Sequence, residues 1–332
     1  MQVRDGFIAA IGETPLIKLK WPSEITNANI YGKAEFLNPG GSVKDRTALY
    51  MVRDAEKRGL IEPGAILVEG TGGNTGIGIA LVGNALGYRS IIVMPDTQAQ
   101  EKKDAVRACG AKLLEVPAVP FANLGNYVHV AKRLADQVGG YFCNQFDNLA
   151  NRDGHAQATG PEIWNQLDGQ LDAFTCAVGT GGTLAGVGMA LKKRQPDILT
   201  VIADPCGSVL YDWLKHGELT TEGTSITEGI GQGRITLNLE GAEVDDALRI
   251  PDEEALDVIF KLVEHDGLVM GGSTGINVAA AMRIAKQLGP RSTVVTILCD
   301  FGTRYQSKIF NADFLKSKDL SVPEWLNHNG YE

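Results

Sequence analysis

Residues 65–80 read AILVEGTGGNTGIGIA. Ile66, Leu67 and Val68 are apolar on successive positions, which suits a strand buried on both faces of a sheet. Glycines and threonines follow directly, and a helical pattern runs from Thr75 to Leu86. A strand that passes through a glycine turn into a helix is the repeating unit of an open α/β sheet. Ligands of such sheets sit beyond the carboxyl ends of the strands, where glycine lets the backbone come close.

The unit recurs along the chain. SIIVMP and KLLEV predict strands near 90–95 and 112–116, and AFTCAVG, LTVIAD and TVVTILCD predict three more near 173, 199 and 293. Helical patterns cover Ser42–Arg58, Gln98–Cys109, Leu124–Val138, a stretch around Arg152–Leu167, Gly182–Leu191, Asp252–His265 and Gly275–Leu288. This alternation predicts an α/β protein with a doubly wound open sheet built twice. Between Cys206 and Ile250 the periodicity fades into a segment rich in glycine and threonine, and a loop of that length is usually functional or mobile.

Composition narrows the function. The 332 residues, 44% of them hydrophobic, suffice for two compact domains. The balance of 31 basic to 40 acidic residues, with no dense Lys/Arg run, argues against a nucleic-acid partner. The five cysteines are scattered without a CxxC pair, as expected for reduced thiols. The histidines at 129, 155, 216, 265 and 328 form no HExxH or close pair, so no metal is expected and none receives a role. No apolar run resembles a signal peptide or a membrane span, and the expected location is cytoplasmic.

Two more glycine clusters, GTGGT at 179–183 and GGSTG at 271–275, open helices in the same way as TGGNTG at 71–76. Free amides at a helix start hold anions such as phosphate, and 179–183 adds two hydroxyls. Neither GxxxxGK[ST] nor GxGxxG is completed, which weakens a nucleotide-dependent oxidoreductase. A phosphate site without nucleotide signature or metal suggests a phosphorylated organic cofactor. GGSVKDR at 40–46 places Lys44 at a helix start, where the helix dipole mildly disfavours a cation. In isolation Lys-Asp-Arg reads as a solvated charge cluster.

Taken together, GGSVKDR, TGGNTG, GTGGT and GGSTG, in that order, resemble the fold type II pyridoxal-phosphate enzymes. The branch they resemble is the cysteine synthase (O-acetylserine sulfhydrylase) and cystathionine β-synthase group, from IGETPLIKL at Ile11 to DFGTRYQSKIF at Phe310. The resemblance implies the tryptophan synthase β-subunit-like architecture with pyridoxal 5′-phosphate in the cleft between two domains. A smaller, mobile domain is placed at 46–150, and a larger one at 1–45 and 151–332.

Site roles follow from the resemblance. Lys44 is implied as the Schiff-base lysine, Asn74 as the partner of the pyridoxal 3′-oxygen and Ser273 as the partner of the pyridine nitrogen. Gly179, Thr180, Gly181, Gly182 and Thr183 would cradle the phosphate. Thr71, Gly72, Gly73, Thr75 and Gln145 would meet the substrate carboxylate, and Gly229 would line the substrate side of the ring. The chain departs from the family pattern at Gly72, where serine is usual, at Phe301, where serine is common, and at Glu13, where asparagine is frequent.

The chemistry fits these residue types. A lysine attacks an aldehyde only as the free amine, and burial at a helix start favours that form. A hydroxyl at the ring nitrogen leaves the ring a weaker electron sink than a carboxylate would, which suits loss of a β-leaving group. The leading expectation is β-replacement on O-acetyl-L-serine by sulfide to give L-cysteine, through an α-aminoacrylate. Alternatives are cystathionine formation, β-elimination from cysteine, O-phosphoserine as donor with Arg234 as its contact, and an inactive cofactor-holding regulator. The resemblance also implies a homodimer and admits a serine acetyltransferase partner.

Overall fold

The computed structural model describes residues 3–327, so His328 and the outermost ends of the larger expected domain lie outside it. Among the described residues ten strands form two sheets. The larger has six strands in the order β1 (Leu16–Lys18), β2 (Asn29–Ala34), β10 (Thr293–Leu298), β7 (Ala173–Ala177), β8 (Leu199–Pro205) and β9 (Asp246–Ile250). All of its pairings are parallel except that of β1 with β2. The smaller sheet is wholly parallel, in the order β5 (Lys112–Val116), β4 (Arg89–Pro95), β3 (Ile66–Gly70) and β6 (Tyr141–Phe142).

Helices cover both faces of each sheet, which is why the central strands are apolar on successive residues. In β10, Val294 and Leu298 enter one core while Val295 and Ile297 enter the other. In the smaller sheet Leu67, Ile92 and Met94 face one side and Val68 and Val93 the opposite side. The expected strands and helices are all present, with ends shifted by a few residues. The helix expected from Gly275 begins at Gly272, and the one expected from Leu124 begins at Tyr127, where the Asn126 side chain accepts from Val128 N.

Two regions differ from the sequence expectation. The stretch Cys206–Ile250 is not one loop, because a short helix, Leu210–His216, and the edge strand β9 interrupt it. The helical stretch before β7 runs from Ala150 to Gln166 and contains a π-turn at His155–Thr159, where His155 is fully buried.

Strand β2 escapes hydrophobic patterning because of two residues. Gly32 gives way to the Leu298 side chain, since a Cβ there would lie 2.5 Å from Leu298 Cγ. Lys33, also fully buried, donates to Thr14 O at 2.6 Å and pairs with Glu162. Glu162 joins a buried ion cluster with Arg46 and Glu35. Arg46 Nε and Nη2 each lie 2.7 Å from a carboxylate, of Glu35 and Glu162 respectively. Burial alone would push the Glu162 carboxyl up, but Arg46 and Lys33 outweigh it and hold it at about 2.

Breaking such a buried pair from one side typically costs about 3–5 kcal/mol, because the remaining charge is left uncompensated. Arg46→Met is therefore expected to lower the unfolding free energy by about that amount in urea titrations; a loss under about 1 kcal/mol would contradict it. The folded-state pKa of Glu162 is depressed, so its contribution is full above about pH 4.5 and is lost as pH falls towards 2. Arg46→Met should make that acid-side loss shallower.

Candidate active site

The carboxyl ends of β3, β7 and β10 open into one cleft, and the sequence-predicted residues gather there. Lys44, the loop Thr71–Thr75, Gln145, Gly179–Gly181, Thr183, Gly229 and Ser273 all line it. Gly182 does not; it turns towards Asn151, whose side chain a Cβ would overlap.

Lys44 is the first residue of the helix Lys44–Lys57, and its amide donates to Ser42 Oγ at 3.2 Å. The two charges after it are not solvated: Asp45 is 0% and Arg46 1% exposed. Asp45 Oδ2 accepts from Gly40 N at 2.6 Å, and burial pushes its carboxyl up to about 7. With both neighbours held inward, Lys44 is the member of the triplet that lines the cleft. The other cleft lysine, Lys102, is paired with Glu228 at 2.6 Å. Lys44 has no ion pair among the described residues.

Thr75 Oγ1 donates to Gln145 Oε1 at 2.5 Å, and Gln145 Nε2 donates to Gly70 O at 3.0 Å. Thr71 Oγ1 accepts from Gly73 N at 3.1 Å and tightens the loop, whose Gly73 has φ +143°. Behind them the fully buried Glu69 accepts from Gln145 N at 3.3 Å, and burial raises its carboxyl to about 8. Near neutral pH it therefore places little negative charge behind this loop.

The side chain of Asn74 is held from both ends. Its Nδ2 donates to Asp300 Oδ2 and its Oδ1 accepts from Arg304 Nη1, each at 2.6 Å. Asp300 also accepts from Tyr305 Oη at 2.8 Å and is fully buried. Of the three departures from the family pattern, only Gly72 faces the cleft. Phe301 packs edge-on against Phe36 with ring centroids 4.9 Å apart, and Glu13 is an exposed residue paired with Arg4.

The second glycine loop starts the 11-residue helix Gly182–Lys192. A Cβ on Gly179 would overlap Gly229 O, and one on Gly181 would lie 2.9 Å from Leu239 Cβ. Thr180 Oγ1 accepts from Asn151 Nδ2 at 2.8 Å, and Thr183 Oγ1 meets His155 Nε2 at 3.2 Å. Burial, aided by Arg46 and Lys44, holds His155 well below the usual imidazole range, so it is neutral. Ser273 sits at the start of the helix Gly272–Leu288. Asp300, Glu69 and His155 carry no signal in the local sequence, because each acts through a partner remote in the chain.

The residues fit a phosphorylated pyridine aldehyde. Glycines at 179 and 181 leave the backbone as the wall of the cradle, with helix amides and the hydroxyls of Thr180 and Thr183 beside it. An amine, Lys44, and a neutral hydroxyl, Ser273, line the same cleft.

Comparison with known proteins agrees with this geometry. The family model described as "Pyridoxal-phosphate dependent enzyme" matches residues 8–300. Cysteine synthase 1 of Emericella nidulans is 51% identical over 330 residues, spanning 97% of this chain and 89% of its own length. The crystal structure of O-ureido-L-serine synthase superposes with a TM-score of 0.85 at 34% identity, covering 98% of this chain and 100% of the other. The O-acetylserine dependent cystathionine β-synthase from Helicobacter pylori gives the same TM-score and identity over 93% and 99%. The chain thus belongs to the fold type II pyridoxal-phosphate dependent enzymes, in the cysteine synthase family.

Proposed function

We propose that this enzyme replaces the acetoxy group of O-acetyl-L-serine with sulfide, forming L-cysteine and acetate. One observation carries the reading: a cleft that unites Lys44, an amine without an ion pair among the described residues, the glycine loop of Gly179, Thr180, Gly181 and Thr183, and a threonine loop at 71–75. The 51% identity to a cysteine synthase supports the choice of reaction.

Lys44 would hold pyridoxal phosphate covalently, with its phosphate at Gly179, Thr180, Gly181, Gly182 and Thr183. Gly182 contributes through its place at the helix start rather than by lining the cleft. Asn74 would meet the ring hydroxyl oxygen, in an orientation fixed by Asp300 and Arg304. Ser273 would meet the ring nitrogen. When bound, the cofactor withdraws electrons from the substrate α-carbon.

Thr71, Gly72, Gly73, Thr75 and Gln145 would hold the substrate carboxylate, and Gly229 would border the ring from the substrate side. Once the substrate amine has displaced it from the cofactor, the freed Lys44 Nζ would take the α-proton, acetate would leave the β-carbon, hydrosulfide would add there, and Lys44 would return the proton to the α-carbon. Residues 46–150 would form the body that closes on the substrate and excludes water. Three contacts that cross the cleft support this: Lys102 with Glu228, Ser307 Oγ with Glu101, and Asn74 with Asp300. O-phosphoserine is not favoured, because Arg234 makes a two-point contact with Asp147 at 2.9–3.0 Å.

The reading is tested by measuring product formation with O-acetyl-L-serine, O-phospho-L-serine or L-serine as donor, and sulfide or homocysteine as nucleophile. O-acetyl-L-serine with sulfide should give the highest kcat/KM, by about tenfold or more. Faster turnover with homocysteine would move the chain to cystathionine formation.

The state of Glu69 makes a second prediction. As pH rises through about 8 it ionises behind Gln145, and KM for O-acetyl-L-serine should rise severalfold. Glu69→Gln should flatten that rise; an unchanged profile would exclude the coupling. Because this carboxyl is raised above its unfolded value, its contribution to stability is full below about pH 4.5 and is lost as pH rises through 8.

A further inference from the structure

Gly72 leaves the carboxylate loop without a side chain at the point where it faces the cleft. The space above it is filled from another element. A Cβ on Gly72 would lie 3.2 Å from Gln98 Oε1 and 3.6 Å from its Cδ, so the Gln98 amide rests directly over this residue. The neighbouring Gly73 is covered likewise by the stem of Lys102, whose Cδ would be 2.8 Å from an added Cβ. The amine of Lys102 is engaged by Glu228 at 2.6 Å and lies 4.3 Å from the centre of the Tyr305 ring. Gln98, which borders the cleft, differs in that its Oε1 is buried and has no hydrogen-bond partner among the described residues.

A buried amide oxygen without a partner is uncommon, because the group forfeits the hydrogen bonds it would make to water. Here it adjoins the loop of Thr71 and Thr75, which lines the same cleft as Gln145. A terminal amide offers an acceptor on one side and two N–H donors on the other, and turning it over exchanges them.

We propose that Gln98 is a substrate-specificity residue: its terminal amide turns over to donate Nε2–H to the α-carboxylate of the amino-acid substrate, in place of a side chain at position 72. This rests on the carboxylate role assigned above to the 71–75 loop. It also accounts for the glycine. A serine at 72 and the amide of Gln98 would compete for one space, since the gap of 3.2 Å to Oε1 leaves little room for a hydroxyl beyond the Cβ.

The test uses the cofactor-loaded enzyme and five variants: Gln98→Leu, Gln98→Ala, Gln98→Glu, Gly72→Ser, and Gln98→Ala combined with Gly72→Ser. Steady-state KM and kcat for O-acetyl-L-serine are measured alongside equilibrium binding of L-serine and of L-serinamide, which lacks the carboxylate. Gln98→Leu should raise KM and weaken L-serine about five- to tenfold, leaving kcat and the KM for sulfide within about twofold. L-serinamide should bind the variant and the parent alike. Gln98→Glu should lose more than Gln98→Leu, because it sets one carboxylate against another. Gly72→Ser alone should weaken binding, whereas the double variant should recover most of the affinity lost in Gln98→Leu.

A KM and L-serine affinity within about twofold of the parent in Gln98→Leu would overturn the proposal. So would equal losses for L-serine and L-serinamide, tighter binding in Gln98→Glu, or strictly additive effects in the double variant. The L-serine and L-serinamide arm reads Gln98 without turnover. Failure of the parent enzyme to make cysteine would therefore sink the proposed reaction alone, and unchanged binding in Gln98→Leu would sink this proposal alone.

Discussion

Arg46 is 1% exposed, and its guanidinium is shared between Glu35, in the turn that follows β2, and Glu162, on the helix that precedes β7. Such a charge is stable in the interior only when its partners are held in place, so the cluster ties three remote segments to one geometry. Arg46 lies two residues after Lys44, within the first turn of the same helix. Asp45 fixes the intervening backbone by accepting from Gly40 N. The position of the cleft lysine thus follows from the two buried charges beside it, and the placement of the other groups is measured from there.

The cleft is assembled by glycines as much as by polar side chains. The Lys44 helix meets the helix Asn74–Leu86 so closely that a Cβ on Gly78 would lie 2.8 Å from Lys44 O. Gly179 and Gly181 bring the second loop against the backbone of Gly229 and the side chain of Leu239. These approaches set the Lys44 amine, the 71–75 loop and the 179–183 loop around one volume. Few charges stand in or behind the cleft: Glu69, behind the 71–75 loop, is largely protonated near neutrality, Lys102 is paired with Glu228, and His155, behind Thr183, is neutral.

Much of this was legible in the sequence where the physics is local. β3, β4, β7, β8 and β10 announce themselves as apolar runs because parallel strands are buried on both faces, and the glycine loops mark where those strands end. β2 was not legible, because Lys33 is buried through partners at Thr14 and Glu162 that periodicity does not register. The Lys-Asp-Arg triplet misleads for the same reason: as a local pattern it reads as solvated, and Glu35 and Glu162 reverse that. Asp300, His155 and Gln98 were invisible because Asn74, Thr183 and Gly72, which give them meaning, are distant in the chain.

The central claim is that the cofactor is held by Lys44 rather than by Lys102, the other amine of the cleft. The direct measurement is borohydride reduction of the cofactor-loaded protein, followed by proteolysis and mass mapping of the modified peptide. The reduced cofactor mass should fall on Lys44, with none on the protein in Lys44→Ala. A modification mapped to Lys102, or one that persists in Lys44→Ala, would contradict it.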